Sequence, residues 1–599
     1  MISPILLRGA VVTALLAIGA HAADLNPTQE RADRFLALVN ASYQAIYYVE
    51  SEAQWKAVTD VSDVHDAGAE VAGKARAAFM GNPALINETK SLLLKRQDLN
   101  DLTVRELERI LLIAAESPMT NPKITQARIE AETKQASTLN GFEFKLHGKP
   151  VSVNDIDNLL QSNDTELDER LAVWLASKES GKALRDGLIK LRDLRNGVAQ
   201  EMGYHDYFAL QSAGYGMTTD EIIKLNENFM TVLRPLYLQL HTWAKYKLAE
   251  RYHQPVPKRI PAHWLNNRWG QEWPGLADGA DLTPFFKDKT PQWVAQASER
   301  FYVGLGFPAL PQSFWEKSDL YPVAAGGTRK KNTHASAWHM DLGTDLRSLQ
   351  SIEANPWWFE TNHHEFGHIY YFMAYSRPEV PPLLRNGANP AFHEGFGELT
   401  ALASAMAPYL KSVGVLPADF KADPNAFLLA NAINSGGVPF IYWSSGVMAH
   451  WEADIYAHNL PASEWNQRWW QYVRDFQGIE PPAGERGEEY CDAATKTHIN
   501  DTPAYYYTYA IAQVFKYQLN DYIAKNILHQ PPQSCNYAGN KEVGAFLKKI
   551  MEKGQTEDWH KVLKDATGED LSTRAMVEYY APLMKWLQEQ NKGRPIGWE

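Results

Sequence analysis

Cysteine is scarce in this chain of 599 residues, and other class-defining features are missing. The two cysteines, Cys491 and Cys535, allow at most one disulfide, which excludes a multi-disulfide scaffold. The net charge is −12 and there is no long basic run, which argues against nucleic acid as the main partner. No internal repeat or low-complexity tract is present. What is present, 45% hydrophobic residues and 19 tryptophans, is enough for a large folded core.

Long apolar runs are also absent after the N-terminus. Arg8 precedes an apolar stretch at 9–19, and Ala20-His21-Ala22 follows as a cleavage site. Residues 1–22 are therefore predicted to be a signal peptide, with a secreted or periplasmic mature chain and no membrane anchor. An uncleaved anchor is the disfavoured alternative, because the apolar stretch is short. In an oxidising compartment Cys491 and Cys535 are predicted to pair, with two buried free thiols as the alternative.

The mature chain has mainly the apolar period of α-helices. Helices are predicted at 29–94, 106–112, 166–175, 185–204 and 219–252, and helical patterns dominate after Pro291. The segment 142–150 alternates like a strand and is predicted to turn at its Gly-Lys-Pro end. None of the loops rich in Pro, Gly and Asp resembles a linker. The predicted fold class is mostly α, one large unit with a groove and a minor β element.

Residues 364–368 contain the motif H-E-x-x-H, formed by His364, Glu365 and His368. On a helix the two histidines share one face, so their imidazoles can bind one metal beside the glutamate. Neutral imidazoles suit Zn²⁺, and a nearby carboxylate can accept a proton from an activated water. Asn355-Pro356 predicts the start of this helix.

A second helix is predicted to begin at Asn389-Pro390 and to supply the third metal ligand. Glu394 and Glu398 are four residues apart on one face of this helix. One can bind the metal while the other orients a ligand histidine. The alternatives, a chance motif and a solvated acidic face, are disfavoured by the apolar residues around both segments.

Several motifs, in one order along the chain, carry a family resemblance. They are HHEFGHI at 363–369, GANPAFHE at 387–394, IPAH at 260–263, WGQEW at 269–273, HASAW at 334–338, and KTH at 496–498 near the tyrosines of 505–509. Together they resemble the angiotensin-converting-enzyme family of zinc peptidyl-dipeptidases. Weaker similarity runs from about Thr28 to 587–598, which is nearly the whole mature chain.

The resemblance implies a helical ellipsoid with a deep central channel and N-terminal lid helices, so that 23–599 forms one domain of two lobes. It implies one zinc ion and a set of site residues with assigned roles. These are His364, His368 and Glu394 as zinc ligands, Glu365 as general base, and Glu398 in support. His334 and Ala335 hold the substrate backbone, Gln271, Lys496 and Tyr506 hold its C-terminal carboxylate, and His498 and Tyr509 stabilise the oxyanion.

The chain departs from the family pattern in several places. The spacing from His368 to Glu394 is two residues longer, and Glu398 stands where an aspartate is usual. The tyrosines align only with a one-residue shift, so Tyr506 and Tyr509 are assigned because i and i+3 share a helix face. Thr508 stands in place of the arginine that binds chloride, which predicts weak chloride activation. The disulfide scheme of the family cannot be carried over, because most of its cysteines are missing.

The favoured function is an exported zinc peptidyl-dipeptidase that removes C-terminal dipeptides from oligopeptides with a free C-terminus. A second enzyme hypothesis is an oligopeptidase that cuts internally in short peptides. A hypothesis from another class is a catalytically silent peptide-binding protein. Loss of Glu365 or of a metal ligand would have favoured the silent protein, and all of these residues are intact.

Overall fold

The computed structural model describes residues 26–277, 281–324, 326–482 and 484–598. The chain is 65% helical with 3% strand, so the prediction of a mostly α fold is confirmed. The predicted signal peptide lies outside the described residues. Within the described ranges, no helix combines the length and the apolar character needed to cross a bilayer.

The N-terminal part of the fold, up to residue 251, is built from helices α1 to α10 and one hairpin. The helices are α1 (Pro27–Thr59), α2 (Asp63–Met80), α3 (Pro83–Leu93), α4 (Asp101–Ala114), α5 (Pro122–Asn140), α6 (Val153–Gln161), α7 (Leu167–Lys178), α8 (Ser180–Glu201), α9 (Tyr207–Ser212) and α10 (Thr219–Arg251). The hairpin strands are β1 (Phe144–Leu146) and β2 (Lys149–Val151). The predicted helical segment 29–94 is therefore three consecutive helices.

The remaining part of the fold carries helices α11 to α25 and the strands β3 to β6. The helices are α11 (Pro291–Gly304), α12 (Gln312–Lys317), α13 (Pro356–Tyr375), α14 (Phe392–Ala405), α15 (Ala407–Ser412), α16 (Pro424–Ile433), α17 (Val438–Ile441), α18 (Ala449–Tyr456), α19 (Trp465–Tyr472), α20 (Thr497–Asp501), α21 (Tyr507–Tyr522), α22 (Lys541–Met551), α23 (Trp559–Thr567), α24 (Arg574–Tyr579) and α25 (Ala581–Gln590). The strands are β3 (Ile260–Pro261), β4 (Ser336–His339), β5 (Leu346–Leu349) and β6 (Ile479–Glu480).

The two predicted Asn-Pro helix starts differ in outcome. At α13 the Asn355 side chain accepts a hydrogen bond from the backbone N–H of Trp358 at 2.8 Å, so the predicted N-cap is confirmed. The second prediction is wrong by two residues. The side chain of Asn389 accepts from the N–H of Ala391 at 2.9 Å and closes a turn, and α14 begins only at Phe392.

The short strands form three separate pairs. In the predicted hairpin the turn lies at His147-Gly148, where φ is +52° and +77°, rather than at the Gly-Lys-Pro end, so Lys149 already pairs with Leu146. Strands β4 and β5 pair antiparallel, and β3 and β6 pair parallel. These last two pairs were not predicted from the sequence, because strands of two to four residues carry almost no periodicity.

The long N-terminal helix α1 rests on the β4–β5 hairpin. The Gln44 side chain donates a hydrogen bond to the carbonyl oxygen of Asp341 at 2.8 Å. Glu52 forms an ion pair with Arg347 of β5, and Trp55 packs edge-on against Trp338 of β4 with 5.5 Å between ring centroids. This hairpin continues from His334 and Ala335, so α1 braces the segment predicted to bind substrate.

The predicted disulfide is wrong, because Cys491 and Cys535 are free and buried. The thiol of Cys535 lies 3.6 Å from the sulfur of Met406, in the core beside α14 and α15. Cys491 instead sits at the start of a 3₁₀ turn, with its carbonyl oxygen facing Gly181 of α8. The alternative of two buried thiols therefore holds.

Candidate active site

Helices α13 and α14 cross at a pair of glycines. A Cβ atom on Gly367 would lie 3.3 Å from the Cα of Gly397 and 3.0 Å from the hydroxyl of Tyr302. A Cβ atom on Gly397 would lie 2.8 Å from ring atoms of His364. Because glycine has no side chain, the two backbones can approach closely and the His364 ring can pack directly against α14.

The predicted metal ligands come together at this crossing. The Nε2 atoms of His364 and His368 are 3.0 Å apart, and Nε2 of His364 lies 3.6 Å from Oε2 of Glu394. One donor atom from each residue lies within 4.8 Å of the others. Two imidazole nitrogens and one carboxylate oxygen are the donor set of a catalytic zinc site. The residues present therefore fit Zn²⁺.

The electrostatics of the cluster also suit a cation. Burial lowers the pKa of His364, but the carboxylates of Glu394, Glu365 and Glu398 outweigh it, so the net pKa is raised. Burial lowers the pKa of His368 strongly, with the charge of His364 adding to the effect. Burial likewise raises the pKa of Glu365 to about 7. The crossing holds more carboxylates than compensating positive charges.

Glu398 lies behind His364, on the side away from the other ligands. Its Oε1 atom is 3.9 Å from Nδ1 of His364, and its Oε2 atom is 3.2 Å from the ammonium of Lys516. Lys516 was not singled out from the sequence. One sequence signal could have identified it. Lys516 is a lysine, seven residues after Tyr509, in a part of α21 where the other side chains are mostly apolar or amides.

His334 and Ala335 line the same cavity as the metal cluster. This cavity has a volume of about 770 Å³ and also touches Arg109 and Glu116 of the N-terminal helices. Nδ1 of His334 lies 2.9 Å from the carbonyl oxygen of Ala335. Glu394 lines this cavity as well, and burial raises the pKa of its carboxyl.

The three residues predicted to bind a carboxylate contact one another. Oε1 of Gln271 accepts hydrogen bonds from the ammonium of Lys496 at 3.0 Å and from the hydroxyl of Tyr506 at 3.2 Å. Lys496 is 6% exposed, and its ammonium lies 4.3 Å from the centre of the Trp269 ring. Burial lowers the pKa of Lys496 to about 7, and the charge of Arg268 contributes. Trp269 thus supports Lys496, a role the sequence did not reveal.

Aromatic contacts connect this cluster with the metal cluster. The His498 ring lies 4.9 Å from Tyr506 and 6.0 Å from Tyr509, and the two tyrosine rings are 5.2 Å apart. Tyr509 lines the cavity with the metal cluster. Burial raises the pKa of Tyr509 to about 12 and lowers that of His498 to about 4. Both groups are therefore neutral hydrogen-bond donors near pH 7.

Thr508 is hydrogen-bonded to Tyr215, a residue that lines the cavity. It is fully buried and accepts a hydrogen bond of 2.9 Å from the hydroxyl of Tyr215. The groups that act on the titration of Tyr215 are its own burial, Tyr505, Tyr507 and Thr508, and none of them is a cation. Thr508 and Tyr215 are therefore joined by a hydrogen bond between two neutral side chains.

The chain is similar to known proteins over nearly its whole length. The family model described as angiotensin-converting enzyme matches residues 26–598. The angiotensin-converting enzyme of Theromyzon tessulatum is 30% identical over 95% of this chain and 94% of its own length. That of Oryctolagus cuniculus is 28% identical over 96% of this chain, and that of Mesocricetus auratus is 31% identical over 68%. The matches span 44% and 32% of those two longer relatives.

Proposed function

The chain belongs to the angiotensin-converting-enzyme family of zinc metallopeptidases, and from this premise we propose that it removes C-terminal dipeptides from oligopeptides outside the cytoplasm. The observation that carries the proposal is the pairing of two clusters. His364, His368 and Glu394 form a zinc-type donor set, and Lys496 with Gln271 forms a carboxylate-type donor set. The rings of His498, Tyr506 and Tyr509 connect the two clusters.

The zinc cluster and Glu365 carry out the hydrolysis. A bound Zn²⁺ supplies Lewis acidity, which lowers the pKa of water and polarises the scissile carbonyl. Glu365 accepts the proton of the attacking water and passes it to the leaving amine. Glu365 lines the same cavity as the three metal ligands, which supports this role. Glu398 orients His364 from behind.

Neutral donors and the strand segment position the reacting carbonyl. Tyr509 and His498 are proposed to donate hydrogen bonds to the developing oxyanion, an interaction worth roughly 3–4 kcal/mol for a single donor elsewhere. The backbone of Ala335 and the side chain of His334 line the same cavity as Glu365, so they are placed to hold the substrate main chain. Helix α1 packs on the β4–β5 hairpin that follows these two residues, and so helps to hold the segment beside the metal ligands.

Recognition of the substrate end is assigned to Lys496, Gln271 and Tyr506. The Lys496 ammonium and the Tyr506 hydroxyl both point at one acceptor, Oε1 of Gln271, and a peptide carboxylate can take over these donors. Gln271 is neutral and can turn its amide N–H₂ toward the same carboxylate. This arrangement favours peptides with a free C-terminus, and release of two residues at a time is proposed from the family to which the chain belongs.

Export and domain organisation are proposed from the sequence pattern. Arg8, the apolar stretch 9–19 and Ala20-His21-Ala22 support cleavage of residues 1–22. The mature chain, 23–599, is proposed to act as one peptidase domain. Expression with and without residues 1–22, followed by N-terminal sequencing of the exported product, checks the cleavage site.

Product analysis tests the proposed activity. A peptide with a free C-terminus and its amidated twin are incubated with the zinc-loaded enzyme, and the products are identified by mass spectrometry. We expect C-terminal dipeptides from the free peptide and little cleavage of the amidated one. Equal internal cleavage of both peptides would favour an oligopeptidase instead, and release of single residues would contradict the dipeptide assignment. Absence of any cleavage by zinc-loaded protein would favour a peptide-binding protein.

A further inference from the structure

A buried lysine lies behind the metal cluster. Lys516, on helix α21, is 6% exposed, and its ammonium is 3.2 Å from Oε2 of Glu398. The same ammonium lies 5.0 Å from the centre of the Tyr517 ring. Burying a charged ammonium is costly unless it is paired, so the Glu398 contact is the interaction that fixes Lys516 in this position.

Glu398 transmits this contact to a metal ligand. While Oε2 faces Lys516, Oε1 lies 3.9 Å from Nδ1 of His364, whose Nε2 atom faces His368 and Glu394. Charged and hydrogen-bonded partners on the far nitrogen of a ligand histidine set the direction in which its near nitrogen points. Lys516, Glu398 and His364 therefore form a continuous row that ends at the metal position.

The length of the Glu398 side chain explains why an anchor is needed. Glutamate has one more rotatable bond than aspartate, so its carboxylate can swing away from His364 unless it is held. Two groups on one face of α21 hold it, the ammonium of Lys516 and the amide of Gln513, which stand three residues apart. The ring of Phe515, between them in sequence, stacks on Phe392 of α14 at 4.2 Å and fixes the spacing of the two helices.

From these contacts we propose that Lys516 is a positioning residue of the metal centre: its ammonium fixes the Glu398 carboxylate against His364. The proposal rests on the zinc ligand set of the proposed function. It adds a residue from α21, the helix that also carries Tyr509, so one helix serves both the metal ligand and the oxyanion.

The test measures zinc affinity directly, by competition with a chromophoric chelator. Lys516→Met is expected to bind zinc roughly 10- to 100-fold more weakly than the wild type, the range found when outer partners of metal ligands are removed. Lys516→Arg keeps the charge and is expected to recover most of the affinity. The matched control is Lys525→Met. Lys525 lies just after the end of α21, is half-exposed, and forms ion pairs with Asp521 and Glu578. This variant should bind zinc like the wild type.

A double mutant separates positioning from general stability. If Lys516 acts through Glu398, adding Lys516→Met to Glu398→Gln should cause little further loss of zinc affinity. Additive losses, or wild-type zinc affinity in folded Lys516→Met, would overturn the proposal even if the melting temperature falls. Should Lys516→Met fail to fold, Lys516→Gln removes the charge and keeps a polar side chain, and wild-type affinity in that variant overturns the role given to the ammonium.

The outcome is distinguishable from failure of the proposed function. A wild-type protein that binds zinc at His364, His368 and Glu394 but releases no dipeptides contradicts the function and leaves the affinity measurements valid. A wild-type protein whose zinc binding is unaffected by removing His364 contradicts the ligand set, and with it the role of Lys516.

Discussion

The hydroxyl of Tyr215 donates a 2.9 Å hydrogen bond to the hydroxyl of Thr508, the residue that the family resemblance aligns with a chloride-binding arginine. Two neutral hydroxyl groups satisfy each other there, and neither supplies the fixed positive charge that an arginine would offer to an anion. We therefore expect the activity to differ less than twofold between chloride and an inert anion at equal ionic strength.

Variants at Thr508 identify the source of any chloride effect. A several-fold activation that disappears in Thr508→Val would show that this position has been misread. An activation that survives the substitution would point to a different site, such as one near Arg474. Tyr215→Phe serves as the matched control, because it breaks the same hydrogen bond from the other side.

The second prediction concerns Glu365 as the general base. Glu365→Gln preserves size and removes the proton acceptor, so kcat is expected to fall about 10²- to 10⁴-fold, the usual contribution of general acid–base catalysis. Zinc content, measured by atomic absorption, should stay at one equivalent, because Glu365 is not one of the clustered donors. Turnover near that of the wild type in zinc-loaded Glu365→Gln would remove this residue from the mechanism.

The third prediction follows from the glycine beneath the His364 ring. In Gly397→Ala the new methyl group would lie 2.8 Å from the ring, which forces the imidazole to move. We expect weaker zinc binding and a lower kcat in the fully loaded enzyme, with KM little changed because the new methyl group meets the His364 ring and not the carboxylate cluster. Gly68→Ala, on helix α2 where the Cβ meets no neighbour, controls for the general cost of changing a glycine. Equal zinc affinity in both variants would contradict the steric argument.

The sequence predicted the mostly helical fold, because helix signals rest on local rules. H-E-x-x-H on a helix places His364 and His368 on one face by geometry alone, and the structure brings Glu394 to the same point. Helix α10 was predicted as 219–252 and ends at Arg251. Hydrophobic periodicity and Asn-Pro helix starts depend only on neighbouring residues. Predictions made from them therefore place the helix ends to within a few residues.

Long-range relationships could not be predicted in the same way. The approach of Lys516 to Glu398 joins residues 118 positions apart in sequence, and it depends on how α21 crosses α14. The pairing of Cys491 with Cys535 failed for a related reason: cysteine count and compartment favoured a bond, but Cys535 packs against Met406 and Cys491 against Gly181 of α8. Short strands such as β4 are fixed by partners elsewhere in the chain, here β5 and helix α1.

The last prediction concerns Lys496 and pH. Burial lowers the pKa of its ammonium to about 7, so in the free enzyme the positive charge is present below that pH and is lost as pH rises through it. The charge is needed to bind a substrate carboxylate, so KM for a peptide with a free C-terminus should rise between pH 7 and 9. Over the same range kcat should change less, because the bound carboxylate restores the protonated form of Lys496.

Substitutions at Lys496 separate this titration from others in the site. Lys496→Met removes a charge-assisted hydrogen bond of about 1.5–3 kcal/mol, so KM should increase roughly 10- to 150-fold and should no longer depend on pH in this range. Lys496→Arg keeps a charge at every accessible pH and should also abolish the rise, at a lower KM than the methionine variant. A KM that still climbs above pH 7 in both variants would assign the titration to another group and leave Lys496 without this role.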